Sequence, residues 1–396
     1  MGAEDLLPDV AQRMAVLRRD LHAYPELAFE EQRTAAIVAD HLQRLGLQVT
    51  TGVARTGVVA TLRCGDSERA IGLRADMDAL PLQEHNDFPH RSRHDGRMHA
   101  CGHDGHVAML LGAAEMLVAA RDRGDFDGVV HFIFQPAEEG SGGARVMVEE
   151  GLFERWPMQG VYGLHNWPGL ALGAIAVHQG AVMAGTACFA IHISGRGAHA
   201  AMPHQGRDVI LAGAALTQNL QALVSRASDP LDAVVVSVTR FQAGHADNIL
   251  PGEAHLGGTV RYFEAHVQDA IEEGMRRVAA GVAASHDVSI EIDWRPSYPP
   301  THNDAAAAAL CHLAAQHAVG ENKVLTGLPP SMGAEDFSYF ARVVPACYVW
   351  LGAGPGVGGC MLHGERYDFN DEIITSGVRY WLNVVAAALP PAPPTP

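Results

Sequence analysis

The residues of this chain that could carry chemistry are a Cys-x-His turn, a pair of adjacent glutamates and two further histidines. In chain order they are Cys101, His103, Glu138, Glu139, His165 and His363. Thiolate, imidazole and carboxylate groups are the ligands that zinc and similar metals take in proteins. A carboxylate that is not needed as a ligand can accept a proton from a metal-activated water. The residue types therefore predict a hydrolytic metal site with its own general base.

The number of candidate ligands predicts more than one metal ion. Five ligands exceed one tetrahedral site, but they suit two ions about 3.5–4 Å apart. The mixture of sulfur, nitrogen and oxygen donors favours Mn²⁺, Zn²⁺, Co²⁺ or Ni²⁺ over Ca²⁺ or Mg²⁺, and it does not select among those four. Of Glu138 and Glu139, one can coordinate while the other acts as base, and the residues alone do not say which.

Predicted strands end close to most of these residues. The strand-like segments are 57–62, 69–74, 128–134, 160–164 and 346–351. In open α/β sheets, ligands bind beyond the carboxyl ends of the strands, so the candidates are expected on one rim, together with Asp76 and Asp78. Helical spacing predicts helices near 10–21, 34–45 and 105–120. The fold class predicted is α/β, a central mixed sheet flanked by helices.

The turn that carries Cys101 and His103 is expected to precede a helix that begins near Gly105. Asp104 is the natural N-cap of that helix. His106 could ligate by spacing, but a hydrogen-bonding role within the helix is favoured. Glu335 and Asp336 could help the site, but they are interpreted first as acids at the start of a helix.

One segment has a different order of predicted strands and helices and interrupts the α/β pattern. Residues 184–297 follow the order β-α-β-β-α-β, which is typical of a ferredoxin-like module. We therefore predict an inserted ferredoxin-like α+β domain at 184–297. The catalytic domain would be formed by 1–183 and 298–396, with a disordered proline-rich tail from about 390.

Composition excludes several classes of function. The chain has 396 residues, 48% of them hydrophobic, and a formal charge of −17. That charge excludes binding to nucleic acid or to an anionic membrane. The sequence contains no apolar run of 18 residues and no signal-peptide pattern at its start. Six scattered cysteines are typical of reduced thiols, so a cytoplasmic protein is expected.

Seven long motifs resemble one enzyme family, over roughly residues 10–385. They read LRADMDALP, MHACGHDGHVAMLLGAA, QPAEEGSGGARVM, GLHNWP, GRGAHAAMPHQGRD, SMGAEDF and LHGE. The chain looks like the aminoacylase, hippurate hydrolase and indole-acetyl-amino-acid hydrolase family, which comprises dinuclear metallo-amidohydrolases related to aminoacylase and carboxypeptidase. The resemblance implies a zinc-peptidase-like catalytic domain, a small-molecule N-acyl amino acid substrate and two divalent metal ions.

The resemblance also implies roles for the site residues. Cys101 would bridge two metals, and Glu138 would be the general base. The remaining ligands implied are His103, Glu139, His165 and His363. Asp78 matches an aspartate of the family that supports the metal ligands without being one of them. The role of Asp76 stays open, because the wider group has His-x-Asp where this chain has Asp76-Met77-Asp78.

Three residues of the inserted segment match substrate-contacting positions of the family. His199 would polarise the scissile carbonyl, in relatives often in the partner subunit. Asn248 and Arg261 would bind the substrate carboxylate, to which arginine offers a bidentate fork. By the same resemblance, the inserted domain is expected to act as a lid and to form a homodimer or higher homo-oligomer.

Two other functions remain open at this point. A dipeptidase or carboxypeptidase could use the same dinuclear site. A non-catalytic protein that binds amino-acid conjugates could keep the fold, but the complete ligand set and the spare glutamate argue against it. The sequence leaves open the preferred acyl group, whether acetyl, benzoyl or indole-acetyl.

Overall fold

The computed structural model describes residues 3–356 and 360–391, and the chain forms two compact units. The first unit comprises Met1–Val182, His302–Pro329 and Asp336–Pro396, and the second comprises Met183–Thr301 and Pro330–Glu335. The sequence placed the boundaries at 183/184 and 297/298 and left 330–335 with the catalytic domain. The end of the proline-rich tail, 392–396, lies outside the described residues, as does 357–359 in the glycine-rich loop before His363.

Helices and strands alternate along the described part of the chain, through both units. The helices are α1 Ala3–Ala23, α2 Gln32–Arg44, α3 His103–Arg123, α4 Gly143–Glu149, α5 Leu152–Arg155, α6 Val209–Ala222, α7 Ala265–His286, α8 Ala305–Val319, α9 Ser338–Ala341 and α10 Ile374–Ala388. The strands are β1 Gln48–Val53, β2 Gly57–Cys64, β3 Ala70–Asp76, β4 Gly128–Gln135, β5 Gly160–Trp167, β6 Ile175–Val177, β7 Gly180–Met183, β8 Gly185–Ser194, β9 Ala198–His199, β10 Val234–Ala243, β11 Ile249–Leu250, β12 Glu253–Tyr262, β13 Ser289–Pro296, β14 Thr301–Asn303, β15 Val324–Leu325 and β16 Ala346–Gly352.

An eight-stranded mixed sheet organises the first unit, in the order β1-β2-β4-β3-β5-β16-β6-β15. Strands β4, β3, β5 and β16 run parallel to one another, so their carboxyl ends share one edge. Every residue of β3, β4 and β16 is buried, as expected for parallel strands covered on both faces. Helices α1, α3, α8 and α10 pack against each other, while α4 contacts β4 and α9 contacts β16. The predicted mixed sheet flanked by helices is confirmed.

The second unit is an antiparallel sheet of four long strands with two helices. The strand order is β10-β12-β8-β13, and the chain order of the long elements is β-α-β-β-α-β, as predicted. Alternate residues of β8, such as Phe189 and Ile191, are buried with Leu216 of α6 and Met275 of α7 in a separate hydrophobic core. The intervening residues of each strand point to the opposite face of the sheet.

The start of α3 differs from the prediction. The helix begins at His103 instead of near Gly105, after Gly102 in the left-handed conformation with φ 102°. A Cβ at Gly102 would collide with the side chain of Asn166, so only glycine fits this turn. The prediction that Asp104 caps the helix is wrong, because Asp104 lies inside the first turn and accepts a hydrogen bond from His22 Nδ1 at 2.8 Å.

None of the helices in the described part of the chain is both long enough and apolar enough to cross a membrane.

Candidate metal centre

The first unit brings the predicted ligands together at the edge where β3, β4 and β5 end. The ligand atoms of Cys101, His103 and His165 lie within 4.8 Å of one another, and the same holds for Cys101, Glu139 and His363. Cys101 therefore belongs to two groups of three possible ligands. The Sγ atom of Cys101 lies 3.3 Å from Nε2 of His165. Because the two groups overlap at this sulfur, the cluster offers a set of ligands for divalent metal.

His103 is oriented by the carboxylate of Asp78. Its Nδ1 lies 3.3 Å from Oδ1 of Asp78, while its buried Nε2 has no hydrogen-bond partner among the described residues. Burial alone would lower the pKa of His103, but Asp76, Asp78 and Glu139 together raise it to about 10. The ring thus lies in a concentration of negative charge that a divalent cation would neutralise. A ligating histidine commonly has this arrangement, with its second nitrogen held by a carboxylate.

Cys101 is buried at the centre of the cluster. Burial raises the pKa of its thiol well above the ordinary value, and the neighbouring Glu139, Glu138 and Asp76 raise it further. The thiol therefore keeps its proton until a cation takes the proton's place, since metal ligation requires the thiolate.

His165 presents the nitrogen that a metal needs. Its Nδ1 donates to the backbone oxygen of Asn166 at 2.7 Å, which leaves Nε2 directed at Cys101. Burial lowers the pKa of this imidazole well below its ordinary value, with a further contribution from His106. The ring is therefore neutral at physiological pH, which is the form that ligates.

The loop that carries Glu138 and Glu139 is fixed through its backbone by buried carboxylates. Three carboxylates from distant parts of the chain each accept one backbone N–H at 2.9 Å. In the loop, Glu31 accepts from Ala137 and Asp78 accepts from Glu139. Directly after the loop, Asp336 accepts from Ala144 in α4. Ala137 has a positive φ of 56°, which is unusual for a residue other than glycine. These contacts fix the backbone on both sides of the glutamate pair.

The two glutamates differ in their surroundings. Oε1 of Glu139 lies 3.3 Å from Nε2 of His363 and has no hydrogen-bond partner among the described residues. Oε1 of Glu138 accepts the backbone N–H of Asp336 at 3.4 Å. His363 reaches the cluster from a loop in which its own φ is 62°, and its side chain is 54% exposed.

Asp76, whose role was open, lies beneath the cluster as the centre of a buried network. It receives Nη1 of Arg74 at 2.7 Å and Nδ1 of His106 at 2.6 Å. Burial by itself would raise the pKa of Asp76, but His103, Arg74 and His106 hold it well below the ordinary value. His106 accepts the backbone N–H of Asn166 at 3.0 Å, in agreement with the hydrogen-bonding role favoured from the sequence.

The three residues predicted to contact substrate all lie in the second unit. His199 is exposed on β9 and pairs with Ile249 of β11. The backbone oxygen of Asn248 accepts the N–H of Ala200 at 3.0 Å, so Asn248 and His199 are neighbours. Arg261 lies on the long strand β12, opposite Thr186 in the register of the sheet.

Sequence reasoning missed two buried residues that support the centre and gave a third only as an alternative. Asn166 lies in the GLHNWP motif next to His165, so its position was a usable signal. Asp336 lies two residues before α9, as interpreted, and its carboxylate accepts from Gln135 Nε2 at 2.8 Å and from Arg74 at 3.3 Å, which agrees with the alternative that it helps the site. Glu31 gave no signal, because nothing in its sequence neighbourhood predicts a contact with residue 137.

The cluster fits divalent metal ions. Two of its buried polar atoms, Nε2 of His103 and Oε1 of Glu139, lack hydrogen-bond partners within the described ranges, and an unpaired buried polar group is costly. A bound cation would satisfy both atoms. The donor set of sulfur, imidazole nitrogen and carboxylate oxygen suits transition metals.

Comparisons with known proteins agree with this chemistry. The family model for peptidase family M20/M25/M40 matches residues 72–387. The chain is 37% identical over 380 residues to the hippurate hydrolase of Campylobacter jejuni, covering 95% of this chain and 97% of that enzyme. It is 43% identical over 299 residues to the N-acyl-L-amino acid amidohydrolase of Geobacillus stearothermophilus, covering 75% of this chain and 80% of that enzyme.

A solved structure shares the whole fold. A dinuclear metal-binding peptidase of the M20 family from Bacillus subtilis matches with a TM-score of 0.83 and 33% identity, covering 96% of this chain and 99% of that one. The resemblance drawn from the motifs is confirmed, and the protein is a hydrolase of amide bonds that uses divalent metal. The chain belongs to peptidase family M20/M25/M40.

Proposed function

We propose that this protein hydrolyses N-acyl amino acids to a carboxylate and a free amino acid. One observation carries the proposal: five possible metal ligands converge at the sheet edge, and a sixth group, Glu138, lies among them as a spare carboxylate. The relatives named hippurate hydrolase and N-acyl-L-amino acid amidohydrolase support the substrate class.

Two divalent ions are proposed for the site. Cys101, His103, Glu139, His165 and His363 would hold them, with the thiolate of Cys101 common to two of the groups of possible ligand atoms. When bound, the ions would lower the pKa of a water molecule and withdraw charge from the acyl carbonyl. Mn²⁺, Zn²⁺, Co²⁺ and Ni²⁺ all suit these donors.

Glu138 is proposed as the general base. It takes a proton from the attacking water as the water oxygen adds to the acyl carbon. It then gives that proton to the leaving nitrogen as the C–N bond breaks, so the products are a free amine and a carboxylic acid, which loses its proton to water and becomes the carboxylate. Asp78 fixes the positions of two proposed ligands, because its carboxylate contacts the ring of His103 and accepts the backbone N–H of Glu139.

His199 is proposed to stabilise the oxyanion that forms on the acyl oxygen. Its Nδ1 accepts the N–H of Ala201 at 3.1 Å, so in the neutral ring Nε2 carries the hydrogen and can donate it. A preorganised donor of this kind is worth about 10²–10³ in kcat in comparable sites. Arg261 and Asn248 would bind the carboxylate of the amino acid and supply the cationic anchor that an acidic protein needs for an anionic substrate.

The quaternary structure and location are part of the proposal. A homodimer or higher homo-oligomer formed through the second unit would let a partner supply His199, as the resemblance of the motifs implies. The six free cysteines of the chain favour a reducing compartment such as the cytoplasm.

A substrate panel tests the proposed activity. Amine release would be measured for hippurate, N-acetyl-amino acids, indole-acetyl-amino acids and free-amine dipeptides at equal concentration, with enzyme loaded separately with each of the four metals. Cleavage of the N-acyl compounds is expected, and the best one identifies the acyl pocket. Cleavage of the dipeptides alone would make the protein a dipeptidase. No cleavage by enzyme that demonstrably contains metal would favour the conjugate-binding alternative.

A further inference from the structure

Two histidines of the second unit face each other on adjacent strands, in the unit that holds none of the proposed metal ligands. His192 of β8 lies directly opposite His255 of β12 in the antiparallel register. Both point away from the face that packs on α6 and α7, because their neighbours Ile191, Ile193 and Leu256 form the core. The two imidazole rings are stacked, with centroids 4.7 Å apart and planes inclined by 5°.

The pair has an acidic neighbour and an unsatisfied nitrogen. Oε2 of Glu253 lies 3.9 Å from Nε2 of His192, and the possible ligand atoms of His192, Glu253 and His255 are all within 4.8 Å of one another. Nε2 of His192 is buried and has no hydrogen-bond partner in the described part of the chain. Glu291 of β13 lies opposite His192 on its other side, so a second carboxylate borders the pair.

To share one ion, the two rings would rotate out of their parallel stack so that one nitrogen of each converges on it. Cross-strand neighbours have Cβ atoms only about 4.5–5.5 Å apart, which lets two imidazoles turn toward one ion. The surrounding groove has a volume of about 470 Å³ and is lined by His192, His255, Arg240 and Glu291, so water can complete the coordination. Arg240 is the opposing charge in that lining, and the carboxylates of Glu291 and Asp293 in the same lining outnumber it.

We propose that His192, His255 and Glu253 form a binding site for one transition-metal ion, in addition to the centre of the first unit. Imidazole nitrogens with one carboxylate suit Zn²⁺, Cu²⁺ or Ni²⁺ and disfavour Ca²⁺ and Mg²⁺. A bound ion would satisfy Nε2 of His192 and cross-link β8 to β12.

Metal content tests this site without reference to catalysis. The full-length protein and the double variant His192→Ala/His255→Ala would be dialysed against the same ZnCl₂ concentration, and bound zinc would be counted per chain by elemental analysis. The expected result is one zinc fewer in the variant, with amide hydrolysis unchanged. The difference between the two proteins does not depend on how many ions the first unit holds.

Two further variants sharpen the test. His312→Ala/His317→Ala removes two histidines from α8 and should leave zinc content at the wild-type value. Glu253→Gln keeps both rings and should weaken the zinc affinity of the site about tenfold or more, which checks the proposal even if the double variant folds poorly. Equal zinc content in wild type and His192→Ala/His255→Ala, or equal loss in the α8 control, would overturn the proposal.

Discussion

At the scale of single residues, the difference between Glu138 and Glu139 supports the proposed division of labour. Oε1 of Glu139 lies 3.3 Å from Nε2 of His363 without a hydrogen-bond partner among the described residues, and the backbone of Glu139 is fixed by Asp78, as a ligand requires. Oε1 of Glu138 accepts the backbone N–H of Asp336, and its carboxylate lies within 4.8 Å of the possible ligand atoms of His103 and Glu139, so it borders the proposed metal site. The neighbouring residue can therefore ligate while Glu138 exchanges protons.

The matched pair of variants Glu138→Gln and Glu139→Gln separates these roles. We expect Glu138→Gln to keep the wild-type metal content and to lower kcat by about 10²–10⁴, the usual contribution of a positioned base. Glu139→Gln is expected to lose metal as well as activity. Metal analysis and kinetics on the same samples check both outcomes. Turnover close to wild type in metal-loaded Glu138→Gln would refute the assignment of the base.

Arg261 is expected to recognise the carboxylate of the amino acid. We predict that Arg261→Ala raises KM by about 10–100-fold, because a hydrogen bond to a charged group is worth roughly 1.5–3 kcal/mol. Arg261→Lys is predicted to recover only part of this loss, since lysine lacks the planar fork. Substrates whose carboxylate is converted to an amide supply the control: the variant should treat acid and amide alike, and an undiminished preference for the acid would contradict the role.

At the scale of elements, a buried charged network joins α1 to the first turn of α3. His22 donates from Nδ1 to Asp104 at 2.8 Å, and Arg18 lies 3.7 Å from the same carboxylate. Nε2 of His22 lies 3.3 Å from Glu84. Burial would lower the pKa of His22, but Asp104 and Glu84 raise it to about 9. The network anchors the helix whose first residue is the proposed ligand His103.

This network predicts a pH-dependent stability. Because the pKa of His22 is higher in the folded state than the ordinary 6.5, its stabilisation is complete below pH 6.5 and is lost as pH rises through about 9. The shift corresponds to roughly 3 kcal/mol. Urea unfolding of metal-free wild type and His22→Gln at pH 6.5, 8 and 9.5 measures this contribution of His22 to the free energy of unfolding. The difference between the two proteins should shrink toward high pH, and a constant difference would contradict the account.

The sequence predicted those helices and strands that have a strong local pattern of apolar residues. Strands β3, β4 and β16 were predicted within two residues because their runs of buried apolar residues are continuous. The start of α3 was misplaced because Gly102 adopts its left-handed turn against Asn166, a tertiary contact that no local pattern reveals. Short strands such as β6 were not predicted, since three residues carry too little periodicity.

In the candidate site, too, local motifs were predictive and tertiary contacts were not. The ligand candidates Cys101 and His165 were predicted because their residue types and motifs are distinctive. The contacts by which the carboxylates of Glu31 and Asp336 fix the backbone on both sides of the glutamate pair were not predicted, because their partners are 106 and 192 residues away in the chain. Spacing and motifs indicate candidate ligands, whereas long-range hydrogen bonds to the backbone are seen only in the folded structure.

At the scale of the whole molecule, metal binding should be coupled to folding of the first unit. The proposed ligands come from segments between residues 101 and 363, so the site exists only when this unit is folded. Ligand at a thousandfold excess over its Kd stabilises the folded state by about 4 kcal/mol. We therefore predict that chelation lowers the Tm by roughly 10 °C, measured by calorimetry. Cys101→Ala should lose most of this metal-dependent shift, and a full shift in that variant would contradict the proposed ligand set.

The most direct test of the central claim follows amide hydrolysis as metal is removed and restored. Wild-type enzyme would be chelated until elemental analysis finds no metal, and amine release from an N-acyl amino acid would be measured while Mn²⁺ or Zn²⁺ is added in increments. The account predicts no turnover in the metal-free protein and a rise in rate as ions fill the site at Cys101. Undiminished turnover by protein shown to contain no metal would contradict it.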